Sequence, residues 1–166
     1  TALGNNWRWI FPQGTLIAYD RDSSRGGSIQ TYTSWYTCLF QDIDGAVFSF
    51  DGYDQFTQSS SPGQPDTYDY HSSFNTANNQ YLKYERFFEN PTIPGTDIIY
   101  DFKITDNRGL TYYMVSQYFN QNSAPAKTQF LIPKAIQDQY GNIIRFVIDE
   151  KFQITKIIDT YGKEVN

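Results

Sequence analysis

The sequence is poor in the residues from which most metal sites and nucleophilic active sites are built. It contains one cysteine, Cys38, and one histidine, His71, in 166 residues. A single cysteine rules out an internal disulfide and any site made of several thiolates. Neither residue stands in a nucleophile elbow or a comparable catalytic motif. We therefore expect a protein that is not an enzyme, with no catalytic residues and no cofactor.

Clustered positive charge and long apolar runs are also missing. The chain carries 13 Lys and Arg against 18 Asp and Glu, for a net charge of −5, and its basic residues are scattered. A nucleic-acid partner requires clustered basic residues that displace counterions from phosphates, so we expect none. No segment approaches the roughly 20 apolar residues of a membrane span, so we expect no membrane insertion. The chain begins at Thr1 with no signal-peptide pattern, which indicates a mature or excised piece.

Aromatic residues are abundant, and they favour strands. Tyr (14), Phe (13) and Trp (3) together make up 18% of the chain, and large aromatic side chains suit a pleated, half-buried surface. Eight segments mix aromatic and β-branched residues between turn residues: 16–19, 28–40, 46–50, 97–105, 110–119, 128–136, 142–149 and 152–159. Residues 79–89 fit a strand better than a helix. We predict an all-β fold, an antiparallel β-meander or twisted sheet built from hairpins, with few or no helices.

One motif recurs four times and predicts the hairpins. It places Asp three residues before Gly, between apolar residues, at Asp42 and Gly45, Asp106 and Gly109, Asp138 and Gly141, and Asp159 and Gly162. Asp at the first position of a type I turn accepts backbone hydrogen bonds, and Gly at the fourth tolerates positive φ. Such a turn followed by a left-handed Gly closes a bulged hairpin.

The spacing of the last two motifs indicates a repeat. Asp138 and Asp159 lie 21 residues apart (159 − 138), which is enough for two strands and two turns. The segment from Asp149 to Phe152 is expected to supply the opposite turn of this meander. The earlier motifs are more widely spaced, so the front of the chain is expected to be less regular than the back.

The repeated segment resembles the YD repeats of RHS proteins. Residues 138–162 read DQYGNIIRFVIDEKFQITKIIDTYG, against a family pattern of D-x-x-G-N-x-x-x-Y-x-Y-D-x-x-G-R-L-x-x-I-x-D-x-x-G. Ile148 and Asp149 stand where the family has Tyr-Asp, and Phe152 stands where it has its second Gly. The segment that begins at Asp106 is similar to the hairpin found ahead of such arrays.

The resemblance implies a structural role outside the cell. RHS proteins are large, secreted or surface-exposed bacterial chains whose repeats wind a β-sheet into a hollow shell, which commonly encloses a C-terminal toxin. We expect a non-catalytic segment of such a protein, extracellular or at the cell surface, with the rest of the parent chain as its partner. One continuous domain is predicted. Residues 1–95 would be an irregular β region with a Ser/Pro-rich loop at 58–66, and residues 96–166 the YD-like hairpins.

A carbohydrate-binding β-sandwich module is the alternative. Trp7, Trp9 and Trp35 could offer flat platforms for sugar rings, with a surface glycan as the partner. The same residues could equally be core residues or cross-strand pairs. An exposed row of aromatic residues would favour sugar binding. Buried aromatic residues and turns aligned along one sheet edge would favour the scaffold.

Two metal hypotheses are weaker than the turn interpretation. His71 could join Asp66 and Asp69 at a metal, although a lone histidine beside a Ser/Pro-rich loop is more often solvated. The stretch from Asp42 to Gly45 is similar to the start of a calcium loop, but the distal bidentate Glu is missing. We therefore expect no metal site.

Overall fold

The chain folds entirely into strands and loops in the part that can be described. The structure, a computed structural model, describes residues 11–76, 82–87, 89–118 and 128–165. These residues form strands and no helix, so the predicted all-β fold is confirmed. It follows that none of the described residues belongs to a helix long and apolar enough to cross a bilayer.

The described residues form a single antiparallel sheet of 11 strands. In chain order the strands are β1 (Gln13–Gly26), β2 (Ile29–Gln41), β3 (Val47–Ser59), β4 (Thr67–Thr76), β5 (Lys83–Arg86), β6 (Phe102–Thr105), β7 (Thr111–Tyr118), β8 (Thr128–Gln137), β9 (Ile143–Ile148), β10 (Ile154–Ile158) and β11 (Glu164–Val165). Most neighbours in the sheet are also neighbours in sequence, as expected of a meander.

The sheet forks at β8. One edge of β8 pairs with β7 along most of its length. The other edge pairs with β1 through residues 128–131 and with β9 through residues 135–137. One branch therefore runs from β1 to β4, and the other is a C-terminal ladder of β9, β10 and β11.

The main core lies where β1, β2 and β3 pack against β6, β7 and β8. Alternate residues of β2 point inward, so Tyr36, Cys38 and Phe40 are buried, whereas Trp35 and Leu39 at the intervening parity are exposed on the other face. The facing layers meet through aromatic pairs, among them Phe40 with Tyr112 (5.2 Å) and Phe50 with Phe102 (6.4 Å). Both layers belong to one hydrogen-bonded sheet, unlike the two separate sheets of a β-sandwich.

Close packing where β1 meets β8 requires a glycine. A Cβ built on Gly14 would lie 2.8 Å from Leu131 Cδ1 and 3.0 Å from the Leu39 carbonyl oxygen. Those distances are below van der Waals contact, so a larger residue would push the two strands apart. Where β1 joins β8, the Gly14 backbone therefore packs directly against the Leu131 side chain.

A second apolar cluster covers the other face of β7 and β8. Ile93, Ile98 and Tyr100 pack there with Tyr113 and Ala135. The expectation of a strand from residue 97 is wrong over its first part, because β6 begins only at Phe102. Residues 89–101 form an irregular cover instead, shaped by Pro91, Pro94 and a turn at Gly95 with φ 77°.

The front of the chain is more regular than its composition suggests. β3 continues to Ser59, so the Ser/Pro-rich loop predicted at 58–66 spans residues 60–66. β4 follows directly, although its sequence TYDYHSSFNT has too few aliphatic residues to be recognised as a strand. Of the ambiguous segment 79–89, residues 83–86 form β5, while residues 79–81 and 88 lie outside the described residues.

Candidate functional site

The four Asp-x-x-Gly motifs fold as the same tight turn. In each, the Asp N–H donates to the carbonyl four residues later, at 2.9–3.0 Å, and the Gly N–H donates to the Asp carbonyl at 3.0–3.1 Å. One carboxylate oxygen of the Asp accepts two further backbone N–H groups, from the second and fourth residues after it, at 2.8–3.0 Å. The four glycines have φ between 79° and 89°, which suits a residue without Cβ.

A fifth turn has the same hydrogen bonds without the glycine. Asp149 Oδ1 accepts the N–H groups of Lys151 (2.8 Å) and Gln153 (2.9 Å), and the Phe152 N–H donates to the Asp149 carbonyl (3.0 Å). Phe152 takes the glycine position with φ 62°. A bulky residue is strained at positive φ, so this turn stores backbone strain that the other four avoid.

The four glycine-containing turns lie in a row at one end of the sheet. The Arg108 side chain joins the turn at Asp106 to the turn at Asp42 through the Asp42 and Asp44 carboxylates. Gly109 lies close to the next turn, since a Cβ built on it would be 3.2 Å from Gln139 Cβ.

The last turn of the row contacts the third through a threonine. Thr160 Oγ1 accepts the Ile143 N–H at 2.8 Å and donates to the Ile143 carbonyl at 3.1 Å. Ile143 directly follows the turn that begins at Asp138. The turn at Asp149, at the far ends of β9 and β10, closes the ladder on the opposite side. The row therefore consists of the four turns that the motif predicts.

Arg108 links the two layers at this row through its charge. Its guanidinium contacts Asp106 Oδ2 at 2.7 Å, Asp42 Oδ2 at 3.3 Å and the Tyr112 hydroxyl at 3.2 Å. Hydrogen bonds from Arg108 to Asp44 and Asp106 raise the pKa of the guanidinium above its usual range. Burial raises the pKa of Tyr112 to about 12. The recurring motif gave no signal for Arg108, because it occupies a variable position within its turn.

The carboxylates of the turn aspartates already accept hydrogen bonds from groups within the protein. Asp42 and Asp106 are almost fully buried, and each bonds both turn amides and Arg108. Within the described ranges no group of three His, Cys, Asp or Glu side chains is arranged to hold a metal ion. The His71 hypothesis rests on a side chain that lies outside the described part of the structure.

A second polar cluster is buried inside the fold. Arg86 Nη1 lies 2.5 Å from Asp54 Oδ2, and its Nη2 donates to Gln129 Oε1 at 3.0 Å. These residues come from β5, β3 and β8, so the cluster ties together strands from both layers. Asp54 Oδ1 and the Tyr84 hydroxyl are buried without a hydrogen-bond partner among the described residues. Strand alternation from Phe48 and Phe50 marks Asp54 as inward-facing, a signal that the sequence does contain.

Two ionisable groups in this interior, Asp54 and Cys38, have raised pKa values. Burial raises the pKa of Asp54 to about 6; Arg86 opposes that rise and Asp101 adds to it. Desolvation therefore outweighs the contact with Arg86, as is common for buried ion pairs. Burial also raises the pKa of Cys38 well above its usual range. The thiol stays protonated at neutral pH, unlike the thiolate of a catalytic cysteine.

The predicted aromatic platform is present in part. Trp7 and Trp9 lie outside the described residues. Trp35 is 37% exposed on the face opposite the core. Its ring packs against that of Tyr53 with centroids 5.0 Å apart and a tilt of 56°. This face therefore offers one aromatic pair, and Tyr53 is the member that sequence reasoning missed.

Polar groups flank this pair on the neighbouring rungs of β2 and β3. On one side the Gln55 amide donates to Thr33 Oγ1 at 3.3 Å. On the other side Thr37 Oγ1 donates to Asp51 Oδ1 at 2.7 Å. Hydroxyl, amide and carboxylate groups beside an exposed ring are able to bind a polyhydroxylated ligand.

Two grooves open near the fork of the sheet and meet at Phe152. The first has a volume of about 680 Å³ and no charged residue in its lining. The second has a volume of about 570 Å³ and includes Lys134 and an ion pair between Asp97 and Arg145 (2.9 Å). Gln117, Ile132 and Phe152 line both. The strained Phe152 thus separates an apolar groove from a charged one.

Comparisons of the chain with protein-family models, with curated proteins and with solved structures find no match.

Replacing Phe152 with glycine should stabilise the protein. We expect Phe152→Gly to raise the free energy of unfolding by about 0.5–1 kcal/mol, because relief of the left-handed backbone outweighs the added freedom of the unfolded chain. Gly162→Ala is the matched control: space around Gly162 is open, so only its φ of 79° resists a Cβ. That variant should lose about 1 kcal/mol. Urea unfolding measures the free energy of unfolding of both variants. If Phe152→Gly lost as much stability as Gly162→Ala, the backbone at Phe152 would not be strained.

Asp54 should make stability depend on pH in the direction set by desolvation. Its pKa rises from 3.8 to about 6 on folding, so the folded state binds the proton more tightly than the unfolded state. Ionised Asp54 lowers the free energy of unfolding by its full amount above pH 6. This loss of stability disappears as pH falls through 6 towards 3.8. Relative to Asp54→Asn, the wild type should gain about 1–3 kcal/mol between pH 7 and pH 4. Urea unfolding of both proteins at the two pH values measures the gain. A wild type that loses stability relative to the variant on acidification would show that the Arg86 contact dominates.

Proposed function

We propose that this chain is a non-catalytic structural segment of a bacterial RHS/YD-type protein, secreted or at the cell surface, in which hairpins extend a continuous β-sheet. The observation that carries the proposal is the row of four Asp-x-x-Gly turns with matching hydrogen bonds. Alignment of these turns at one sheet end is the arrangement expected of a stacked hairpin repeat.

Packing of the C-terminal ladder supports the same function. Ile148, Ile154 and Ile157 are only partly buried, and they pack against the main core. A hairpin unit of this kind cannot bury its apolar face alone and depends on the neighbouring unit for its stability. The ladder therefore acts as a structural extension of the core.

The proposed surroundings follow from the resemblance in residues 138–162. In a parent chain of this type, the segment would form part of the wall of a shell, with the remainder of that chain as its partner. Support for a non-catalytic role comes from the committed turn carboxylates and from Cys38, which is buried and protonated. The location outside the cell is part of the proposal.

Lengthening the array by one repeat tests the structural role. Residues 138–158, which are 21 residues long (159 − 138), would be duplicated directly after Ile158 so that the second copy leads into Asp159. If the unit is a stacking repeat, the added residues should form two more strands and raise the melting temperature. Far-ultraviolet circular dichroism and thermal unfolding measure the two effects.

The same 21 residues inserted between Gly63 and Gln64 serve as the control, because that site is an exposed loop. There the insert has no ladder to extend and should stay accessible to protease. The proposal is contradicted if the insert after Ile158 is cleaved as rapidly as the insert in the loop while the melting temperature stays unchanged.

Glycan binding is a second candidate, favoured by the exposed Trp35 ring and its contact with the half-buried Tyr53. Sugar rings stack on such aromatic faces, and Asp51 and Gln55 lie near enough to bond hydroxyl groups. No row of exposed aromatic residues accompanies the pair among the described residues, so this candidate ranks second.

A glycan array with tryptophan fluorescence tests the second candidate. A glycan that binds the wild type should lose at least about fivefold in affinity with Trp35→Ala, since stacking on one ring contributes about 1 kcal/mol or more. Tyr32→Ala is the control, because Tyr32 is 41% exposed and its β2 position is on the opposite face from Trp35. Binding that is unchanged by Trp35→Ala would remove this surface from consideration.

A further inference from the structure

Most open edges of this sheet are protected against pairing with another strand. β5 (Lys83–Arg86) and β11 (Glu164–Val165) are short and carry charged residues. Among the described residues β1 pairs with β8 only as far as Ile17, and beyond that residue its pairing with β2 has a register shift between Ala18 and Asp20. The rest of β1 also contains Arg21, Asp22 and Arg25. Short length, charge and bulges are the features by which natural sheets block edge-to-edge association.

β4 is the edge that lacks this protection. It is 10 residues long, pairs with β3 over that whole length, and shows no register shift. Its sequence contains no Lys, Arg, Pro or Gly, and Asp69 is its only acidic residue. Among the described residues no strand pairs with its other edge. The row of backbone N–H and C=O groups along this edge therefore has no partner strand within the described ranges, and its chemical complement is another strand.

The neighbouring strand within the chain can cover this edge only in part. β5 lies close to β4 but pairs with β6. β5 has four residues and β4 has ten, so β5 could pair with at most four positions of β4. At least six positions of that edge would have no partner strand among the described residues even then.

We propose that residues 67–73 pair with the same segment of a second copy of this chain, antiparallel and about a two-fold axis at Tyr70. That register places Tyr70 opposite Tyr70 and Asp69 opposite His71 of the other copy. Cross-strand aromatic pairs stabilise such ladders, and a carboxylate opposite an imidazole is free of like-charge repulsion. No like charges face each other across the axis. The interface is isologous and closes as a dimer with a continuous sheet.

Analytical ultracentrifugation over a concentration series tests the interface. The wild type should dimerise, and His71→Asp should raise the dissociation constant about tenfold or more, because it sets carboxylates opposite each other twice per dimer. The double variant Asp69→Lys with His71→Asp replaces that repulsion with an opposite-charge pair at the same positions. It should recover the dissociation constant of the wild type to within about threefold.

Amide hydrogen exchange of the wild type tests the same interface without any substitution. Amides of residues 67–73 should gain protection as the wild-type concentration rises, while the amides of β2 should not change. A wild type that stays monomeric at millimolar concentration would overturn the proposal. So would a double variant as weak as His71→Asp when circular dichroism shows both variants folded, or protection that appears at a different edge, which would indicate pairing elsewhere.

Discussion

The pair of hydrogen bonds that two backbone N–H groups of a turn donate to the carboxylate of its first aspartate is the interaction on which this fold depends. Five turns share it, those that begin at Asp42, Asp106, Asp138, Asp149 and Asp159. Each of these turns is short, and a short turn fixes the register of the two strands it joins. Register in turn decides which side chains of a strand face inward. The turns therefore determine the composition of the core, even though they lie at its rim.

Charge is used in two opposite ways in this molecule. At the row of turns, Arg108 is 44% exposed and connects carboxylates of two turns, so solvent screens the contact and its main effect is to hold the layers in place. In the interior, Arg86 and Asp54 are almost fully buried, and desolvation raises the pKa of Asp54 despite their contact. The contact between Arg86 and Asp54 therefore does not by itself indicate a gain in stability. It is better explained as fixing one specific arrangement of β3, β5 and β8.

Local features of the fold could be predicted from the sequence, whereas pairings distant in sequence could not. The four Asp-x-x-Gly turns follow from residue preferences within five positions, and the aromatic content indicates strands. The fork at β8 depends on contact between Gly14 and Leu131, which are far apart in the chain. β4 was missed because its polar sequence forms a strand only through pairing with β3. Phe152 ends the predicted opposite turn and stands where the family pattern has a Gly, and that alignment is the one signal in the sequence for its positive φ. Of the proposed platform, the sequence indicated Trp35, but its contact with Tyr53 depends on the register of β2 and β3.

The most direct measurement of the central claim is a long-range HNCO experiment on the uniformly ¹³C,¹⁵N-labelled chain, which detects couplings across individual hydrogen bonds. The account predicts correlations from the aspartate side-chain Cγ to the amide nitrogens two and four residues later, in all five turns. The backbone pairs that close the hairpins should give correlations in the same spectrum. If those backbone correlations appear while the side-chain correlations are absent at Asp42, Asp106, Asp138 and Asp159, the carboxylate bonds do not form and the account is wrong.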